Sequence, residues 1–351
     1  MFEQYKKHFQ ESIPRIPGAK YAHFVILRET DSYAVFKTDG ELNVARVRAG
    51  INNSQVISRL VLFKRKQTTP ERLTGRELLR RYEVYNYIKT QHKKDCAYNE
   101  NPCGVCPDCV IYGYAVGKGG ADNSGSEKSK VFIDSAYAVP KYEESHGTFT
   151  LNAPYEDGTM TQGTDTTNRF SEQDHVLPEV PFPSVVTLRD PTPNTFLYLL
   201  NNLYRTKRYG AQTTRTGQMR NKVVAIIFAD GEIFSNLRLT QKIYDIIGDV
   251  LPPYGLDSLK EATEQAVNEL IQEDGVFYEL IAKEALVSLQ NEAQSILADE
   301  ASFQQWMNSL TEETLNYAKA VGVLKEENPE NSNTSSRSRR NKNKTAEDEE
   351  A

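Results

Sequence analysis

Four cysteines, Cys96, Cys103, Cys106 and Cys109, are all the cysteines of the chain, and they fall within 14 residues as C-x6-C-x2-C-x2-C. Four thiolates complete the tetrahedral shell that Zn²⁺ prefers, and Pro102, Gly104 and Pro107 supply the tight turns that such spacing needs. Disulfides do not suit a chain read as cytoplasmic, and C-x2-C spacing fits a metal better. An iron–sulfur cluster is the alternative, but the ferredoxin run of cysteines is incomplete here. The expected site is structural zinc: a full set of thiolates leaves no open position for water, and no H-x-E motif accompanies it. His92 or His146 could take the place of Cys96, the most distant cysteine; the ordinary reading of each is a solvent or core histidine.

A second chemistry lies in two windows without any acid. Between Asp190 and Asp230 the chain holds Arg205, Lys207, Arg208, Arg215, Arg220 and Lys222 but no carboxylate. This loop is rich in hydroxyls and punctuated by Gly210 and Gly217, which let backbone approach a ligand. Such a loop suits a chain of phosphates, the alternative being a solvated surface loop. The second window, Leu42 to Pro70, holds Arg46, Arg48, Arg59, Lys64, Arg65 and Lys66. Arg76 and Arg80 follow on one helical face, with Arg72 just before them; taken alone they read as the solvated face of an ordinary amphipathic helix.

The elements that position these groups can be read from periodicity. Thr192 as N-cap, Pro193 at the first turn and an apolar stripe of Phe196, Leu199, Leu200 and Leu203 predict a helix before the basic loop. The apolar run from Lys222 to Ala229 predicts a central strand after it. Ala22–Leu27, Tyr33–Phe36, Gln55–Phe63 and Val131–Val139 read as further strands. Thr74 and Glu77 form a capping-box pattern for a helix with Leu78, Tyr82 and Tyr85 inward. Ser258 with Glu261 does the same for the first of three acidic helices, the others expected at about 276–298 and 311–324. The Gly/Ser stretch 117–126 lacks the frame of a phosphate-binding P-loop. Residues 152–181 are too long and too polar for an ordinary connection. They read as a hairpin arm between strands at 148–151 and 184–188, or as disorder. Residues 326–351 contain no aromatic residue and no Val, Leu or Ile, and read as a disordered tail.

At 351 residues and 38% apolar content the chain can bury a sizeable core, and no apolar run suits a membrane span. The N-terminus lacks the apolar core of a signal peptide, so a soluble cytoplasmic protein is expected. The net charge of −6 hides an asymmetry. Residues 241–351 hold 10 Lys and Arg against 22 Asp and Glu, a net of −12, which leaves the rest at +6. That positive two-thirds can hold a polyanion.

The motifs resemble a known family. Cys103-x2-Cys106-x2-Cys109 runs into Ile111-Tyr112-Gly113, and Lys128-Ser-Lys-Val-Phe-Ile-Asp-Ser-Ala136 follows the glycine stretch. This looks like the RAMP superfamily of CRISPR effector complexes. Arg208-Tyr-Gly-Ala-Gln-Thr-Thr-Arg-Thr-Gly217 and Glu232-Ile-Phe-Ser-Asn236 resemble most closely the backbone subunit of the type I-D Cascade complex. The resemblance spans roughly 20–250. It implies an α+β fold: a modified RRM-like (ferredoxin-like) antiparallel palm with helices on one face, a zinc-binding insertion, a β-hairpin thumb and C-terminal helices. The expected division is palm at 1–91, 131–151 and 184–256, insertion at 92–130, thumb at 152–183, acidic helices at 257–325 and tail at 326–351. Copies would stack head to tail along a guide RNA, beside other type I-D Cascade subunits, and leave the bases free to pair with target DNA. By this resemblance Lys64, Arg65, Lys66, Arg76, Arg205, Lys207, Arg208, Arg215 and Arg220 would contact RNA. The palm lacks the RNP1 aromatic signature, so base stacking on the sheet is not expected.

No enzyme activity is expected. A RAMP-type ribonuclease cutting with Asp31, or with Asp39, is one alternative, and a zinc-stabilised scaffold without nucleic acid is the other. A loop aspartate is usually a turn residue, and no second carboxylate stands out beside Asp31.

Overall fold

In the computed structural model, the description covers residues 1–38, 40–92, 96–115, 125–151, 154–159, 161–162, 165–166, 171–248 and 250–324. Asp39, most of the Gly/Ser stretch, several positions of the expected arm and the C-terminal tail lie outside the described residues. A 3-10 helix at Glu3–His8 precedes β1 (Tyr21–Thr30), β2 (Val44–Arg48), β3 (Val56–Leu62), α1 (Lys64–Arg81) and α2 (Val84–His92). Then come α3 (Pro107–Tyr112), β4 (Tyr114–Ala115), β5 (Ser126–Glu127), β6 (Val131–Ile133) and β7 (Ala136–Tyr137). The arm region holds β8 (His146–Leu151), β9 (Thr161–Gln162), β10 (Asp165–Thr166) and β11 (Ser171–Val176). β12 (Pro181–Arg189), α4 (Pro193–Arg205), β13 (Met219–Ala229), α5 (Asn236–Ile247) and α6 (Leu256–Ile271) follow. The last elements are β14 (Tyr278–Ile281), α7 (Lys283–Leu297) and α8 (Glu300–Ala320).

The main sheet is antiparallel, in the order β14-β13-β1-β12-β6. β1 lies at its centre, which explains its nearly unbroken apolar run: both of its faces are covered. Phe24 and Ile26 pack with Phe196, Leu199, Leu200 and Leu203 of α4 and with the inner sides of α7 and α8. Val25 and Leu27 pack on the opposite side, with Leu239 and Ile243 of α5 and Ala266, Val267 and Leu270 of α6. Between Val25 and Ile26 the pairing with β13 slips, Val25 facing Ala225 and Ile26 facing Val223. The extra residue, Val224, puts Val224 and Ala225 into the same core while Val223 and Ile226 face the other. Helices therefore cover both faces, not one face as the resemblance implied.

Thr192 caps α4 and Pro193 opens it, with the Thr192 hydroxyl accepting from the Thr195 amide. Other boundaries differ from expectation. α1 starts at Lys64, ten residues before the Thr74 capping pattern, and passes through Pro70. α6 is capped at Gly255, so Ser258 lies inside it. The segment expected as one helix from about 276 divides into β14 and α7, because β14 pairs with β13 at the sheet edge. α8 begins at Glu300 rather than 311. The acidic helices α7 and α8 are part of the main core, contributing Leu286, Leu289, Phe303, Trp306 and Met307. Among the described residues, no helix is long and apolar enough to cross a membrane.

Candidate metal centre and nucleic-acid interface

The four cysteine sulfurs all lie within 4.8 Å of one another and are buried, inside the same core as α4. Two of the S···S separations are 3.9 Å (Cys96–Cys106) and 3.6 Å (Cys96–Cys109). A tetrahedron with metal–sulfur bonds of about 2.3 Å has edges of about 3.8 Å, so the set fits one thiophilic ion. The local chain prepares the sulfurs to be anions. Cys103 N donates to Cys96 Sγ at 3.3 Å, Cys106 N to Cys103 Sγ at 3.3 Å and Cys109 N to Cys106 Sγ at 3.4 Å. Cys106 is the N-cap of α3, its sulfur serving where an oxygen usually does. Hydrogen bonds from the other three thiols and the Arg76 guanidinium hold Cys96 below the usual thiol range, whereas burial pushes Cys106 up. Four neutral buried thiols satisfy these donors poorly, and one cation would deprotonate all of them together. His146 is engaged elsewhere, its Nδ1 bonded to Tyr142 O at 2.8 Å, and the His92 side chain lies outside the described residues.

Arg76 belongs to this centre and not to an RNA surface. It is 1% exposed, and Nη1 donates to Asp108 Oδ2 at 2.8 Å. Arg72 grips the same carboxylate with both Nε (3.0 Å) and Nη2 (2.9 Å). This corrects the expected phosphate contact: Arg76 lies one turn from Arg72, beside Gly75 and Leu79 on the buried side of α1, and reaches the cysteine segment. Arg59 is also buried, donating to Ala138 O at 2.7 Å, to Ala49 O at 2.7 Å and to Val139 O, with its guanidinium 4.7 Å from the Tyr244 ring.

The other basic residues divide by position. Lys64, Arg65 and Lys66 form the first turn of α1, which has no acidic residue there. Cations oppose the dipole at that end by about 0.3–1 kcal/mol each, a cost that a bound anion would remove. Burial and Arg65 lower the Lys66 pKa. Arg205 is held by the body: Nε donates to Asn201 Oδ1 at 2.7 Å and Nη2 to Leu297 O at 2.8 Å, and its guanidinium lies over Phe303.

The loop 206–219 is a hairpin. Tyr209 N donates to Gly217 O at 2.9 Å, Met219 N to Lys207 O at 2.9 Å, and Arg208 pairs with Gln218. Lys207, Arg208 and Arg215 are exposed on it. Among the described residues none of the three forms an ion pair, and Arg208 Nη1 donates only to Thr216 O, at 3.2 Å. Gly210 (φ +89°) and Gly217 (φ +84°) do approach closely, but to the chain itself: a Cβ would meet Val35 O at 2.6 Å and Tyr209 O at 2.2 Å. Their role is to fold the hairpin onto segment 33–35, not to admit a ligand. Arg220 is 51% exposed but occupied, pairing with Glu29 (3.0 Å) and Asp31 (2.6 Å). Glu29 is thus the second carboxylate beside Asp31 that the sequence did not single out; burial raises its pKa.

A buried network that the sequence did not reveal roots the hairpin. Arg28 and Glu71 form an ion pair of 2.7 Å with both side chains fully buried. The Tyr209 hydroxyl donates to Glu71 Oε1 (3.1 Å) and accepts from Arg28 Nη1 (3.2 Å) and Asn221 Nδ2 (2.6 Å). Glu71 precedes Arg72 on α1, so one helix holds both the basic hairpin and the cysteine cluster.

A family model described as Csc2 Crispr matches residues 8–307, and the chain belongs to this Csc2 CRISPR family. The crystal structure of Thermofilum pendens Csc2 is similar over 91% of this chain and 96% of that one, with a TM-score of 0.59 and 17% identity, a likeness of fold. Two solved structures titled CRISPR RNA-guided surveillance complex are also similar. The one described as pre-nicking has 8% identity over 75% of this chain and 92% of that chain (TM-score 0.49); the other has 10% over 82% and 98% (TM-score 0.44). No curated protein sequence matches the chain.

Proposed function

We propose that this chain is a guide-RNA-binding backbone subunit of a type I-D CRISPR surveillance complex, polymerising along the guide and presenting it to target DNA. The observation that carries the reading is the basic hairpin: Lys207, Arg208 and Arg215 are exposed, without ion-pair partners among the described residues, on a loop rooted in a buried network. Fixing cations without neutralising them costs self-repulsion, and phosphates would relieve it. Lys64, Arg65 and Lys66 supply a second cationic edge at the start of α1.

The strand order supports an RRM-like palm, with β1, β6, β12 and β13 as the four core strands and α1 and α4 as the crossover helices. α5 and α6 cover the face on which an RRM stacks bases, so the guide would run along the edges and loops, held by its backbone. The β8/β11 ladder, pairing Ser171–Val176 with His146–Leu151, would be the root of the thumb. The cysteine cluster is proposed as structural zinc, which when bound would supply a fixed crosslink between α3 and the segment before it. The chain is proposed to be non-catalytic in a soluble, cytoplasmic particle. Asp31 is tied to Arg220, and Asp31→Ala leaving the assembled complex's RNA cleavage unchanged would agree with that.

Expression with a CRISPR array and partner subunits, followed by sequencing of retained nucleic acid, tests the function. Discrete guide RNA in a large particle is expected. A particle without RNA, whose association is insensitive to salt, would replace the reading with a zinc-stabilised scaffold.

A further inference from the structure

Segment 33–35 lies between the thumb root and the basic hairpin, hydrogen-bonded to both. On one side Ala34 pairs with Val176 of β11, through Ala34 N→Val176 O at 3.1 Å and Val176 N→Ala34 O at 2.7 Å. On the other, Gly217 N donates to Tyr33 O and Ala211 N to Val35 O, both at 2.9 Å, and the Thr216 hydroxyl donates to Tyr33 O. The backbone of Tyr33 is therefore fixed by the hairpin that displays Arg208 and Arg215.

Its ring is not buried by this. Tyr33 is 41% exposed, and its ring meets Phe149 of β8 edge-on, with centroids 4.5 Å apart at 64°. The His175 ring stands behind, 5.2 Å from Phe149 and 6.3 Å from Tyr33. Gln173, opposite Phe149 in the ladder, is only 7% exposed. Its Oε1 accepts from Gln212 of the basic hairpin at 2.9 Å, while its buried Nε2 has no hydrogen-bond partner. A half-exposed aromatic ring, backed by aromatic rings, adjoins a buried unpaired donor and a cationic hairpin. One ligand chemistry answers all three: an aromatic, acceptor-bearing group on an anionic chain.

We propose that Tyr33 is a stacking platform for an unpaired nucleobase of the bound RNA, at the junction of thumb root and basic hairpin. The inference rests on the RNA-binding reading and adds a contact to a base face, where that reading invoked only phosphates. Stacking is tolerant of sequence, because every base has a π-face, so it does not compete with pairing for base edges.

The test uses the full-length protein and a fluorescein-labelled, unstructured single-stranded RNA, titrated at several salt concentrations. Tyr33→Ala should weaken binding by about 5- to 150-fold, the range found when one base–aromatic stack is removed. Tyr33→Phe and Tyr33→Trp should bind like the wild type. The dependence of log affinity on log salt should keep its slope, since every cation that meets a phosphate is still in place. Tyr33→Ala binding within twofold of wild type, or Tyr33→Phe as weak as Tyr33→Ala, would overturn the platform while leaving RNA binding intact. A Tyr33→Ala protein with normal RNA affinity but smaller particles in light scattering would assign the ring to a protein partner instead. Wild-type protein that binds no RNA under any salt would remove the platform together with the reading beneath it.

Discussion

The guanidinium of Arg76 donates from Nη2 to the carbonyl oxygen of Cys96 at 2.9 Å and reaches its sulfur at 3.4 Å. A residue that the family resemblance assigns to phosphate is thereby tied to the cysteine cluster. A divalent ion held by four thiolates leaves a net charge of −2, and Arg76 is the buried cation placed against it. Arg76→Ala should lower metal affinity by about 10- to 100-fold, the usual effect of losing a partner of a metal ligand. Metal content after dialysis against a chelator measures this; unchanged retention would remove Arg76 from the centre.

Removing the metal itself should lower the melting temperature, because the cysteine segment is part of the core around α1 and α4 and has no other crosslink. Zinc returned to the stripped protein should restore it. Calorimetry before and after chelation, with metal analysis, is the measurement, and an unaltered transition would mean that packing alone holds the segment.

The buried pair Arg28–Glu71 makes an asymmetric prediction. Glu71→Ala leaves an unpaired guanidinium in the core and should destabilise by about 3–5 kcal/mol. Tyr209→Phe removes one hydroxyl from the same network and should cost about 1–3 kcal/mol. Urea denaturation separates the two, and the smaller change is the one to pair with RNA titration, since it loosens the hairpin root in a folded protein.

On the hairpin, Arg208→Ala combined with Arg215→Ala should weaken RNA binding alike for all sequences. The salt slope should fall in magnitude by about 1.4, at about 0.7 for each single-strand phosphate that is no longer neutralised. Fluorescence titration against several unrelated RNAs decides it; a changed sequence preference would contradict backbone recognition.

His23 predicts acid sensitivity. Burial lowers its pKa from 6.5 to about 4, with Nδ1 placed 2.8 Å from Thr187 Oγ1 and Nε2 3.0 Å from Gly231 O. Between these values the unfolded chain binds the proton and the folded chain does not. Its contribution is therefore present above about pH 6.5 and lost as the pH falls towards 4, by up to about 3 kcal/mol. His23→Gln should flatten that part of a stability–pH profile, as measured by urea midpoints across the range.

Part of this architecture is legible in the sequence for physical reasons that can be named. α4 is readable because cap, proline and apolar period agree at Thr192, Pro193 and Phe196. The cysteines are readable because their spacing fixes their geometry. α1 is misleading because Lys64, Arg65 and Lys66 give no capping signal, Thr74 gives a false one, and the buried face carries Gln67, Glu71, Gly75 and Arg76 where apolar residues would mark it. The Arg28–Glu71–Tyr209 network is invisible because its members come from a strand, a helix and a loop far apart in the chain. The basic hairpin itself is visible as charge, but the two glycines serve its folding rather than its ligand.

The layer of α5 and α6 over the main sheet also bears on how such a protein could serve a changing repertoire. With that face closed, β1 and β13 present their side chains there to α5 and α6, and on the proposed function a guide would meet cationic loops and the Tyr33 ring. On the proposed function, a new guide would ask for no new residue in this chain: the memory would be rewritten in nucleic acid while the protein that displays it stays the same.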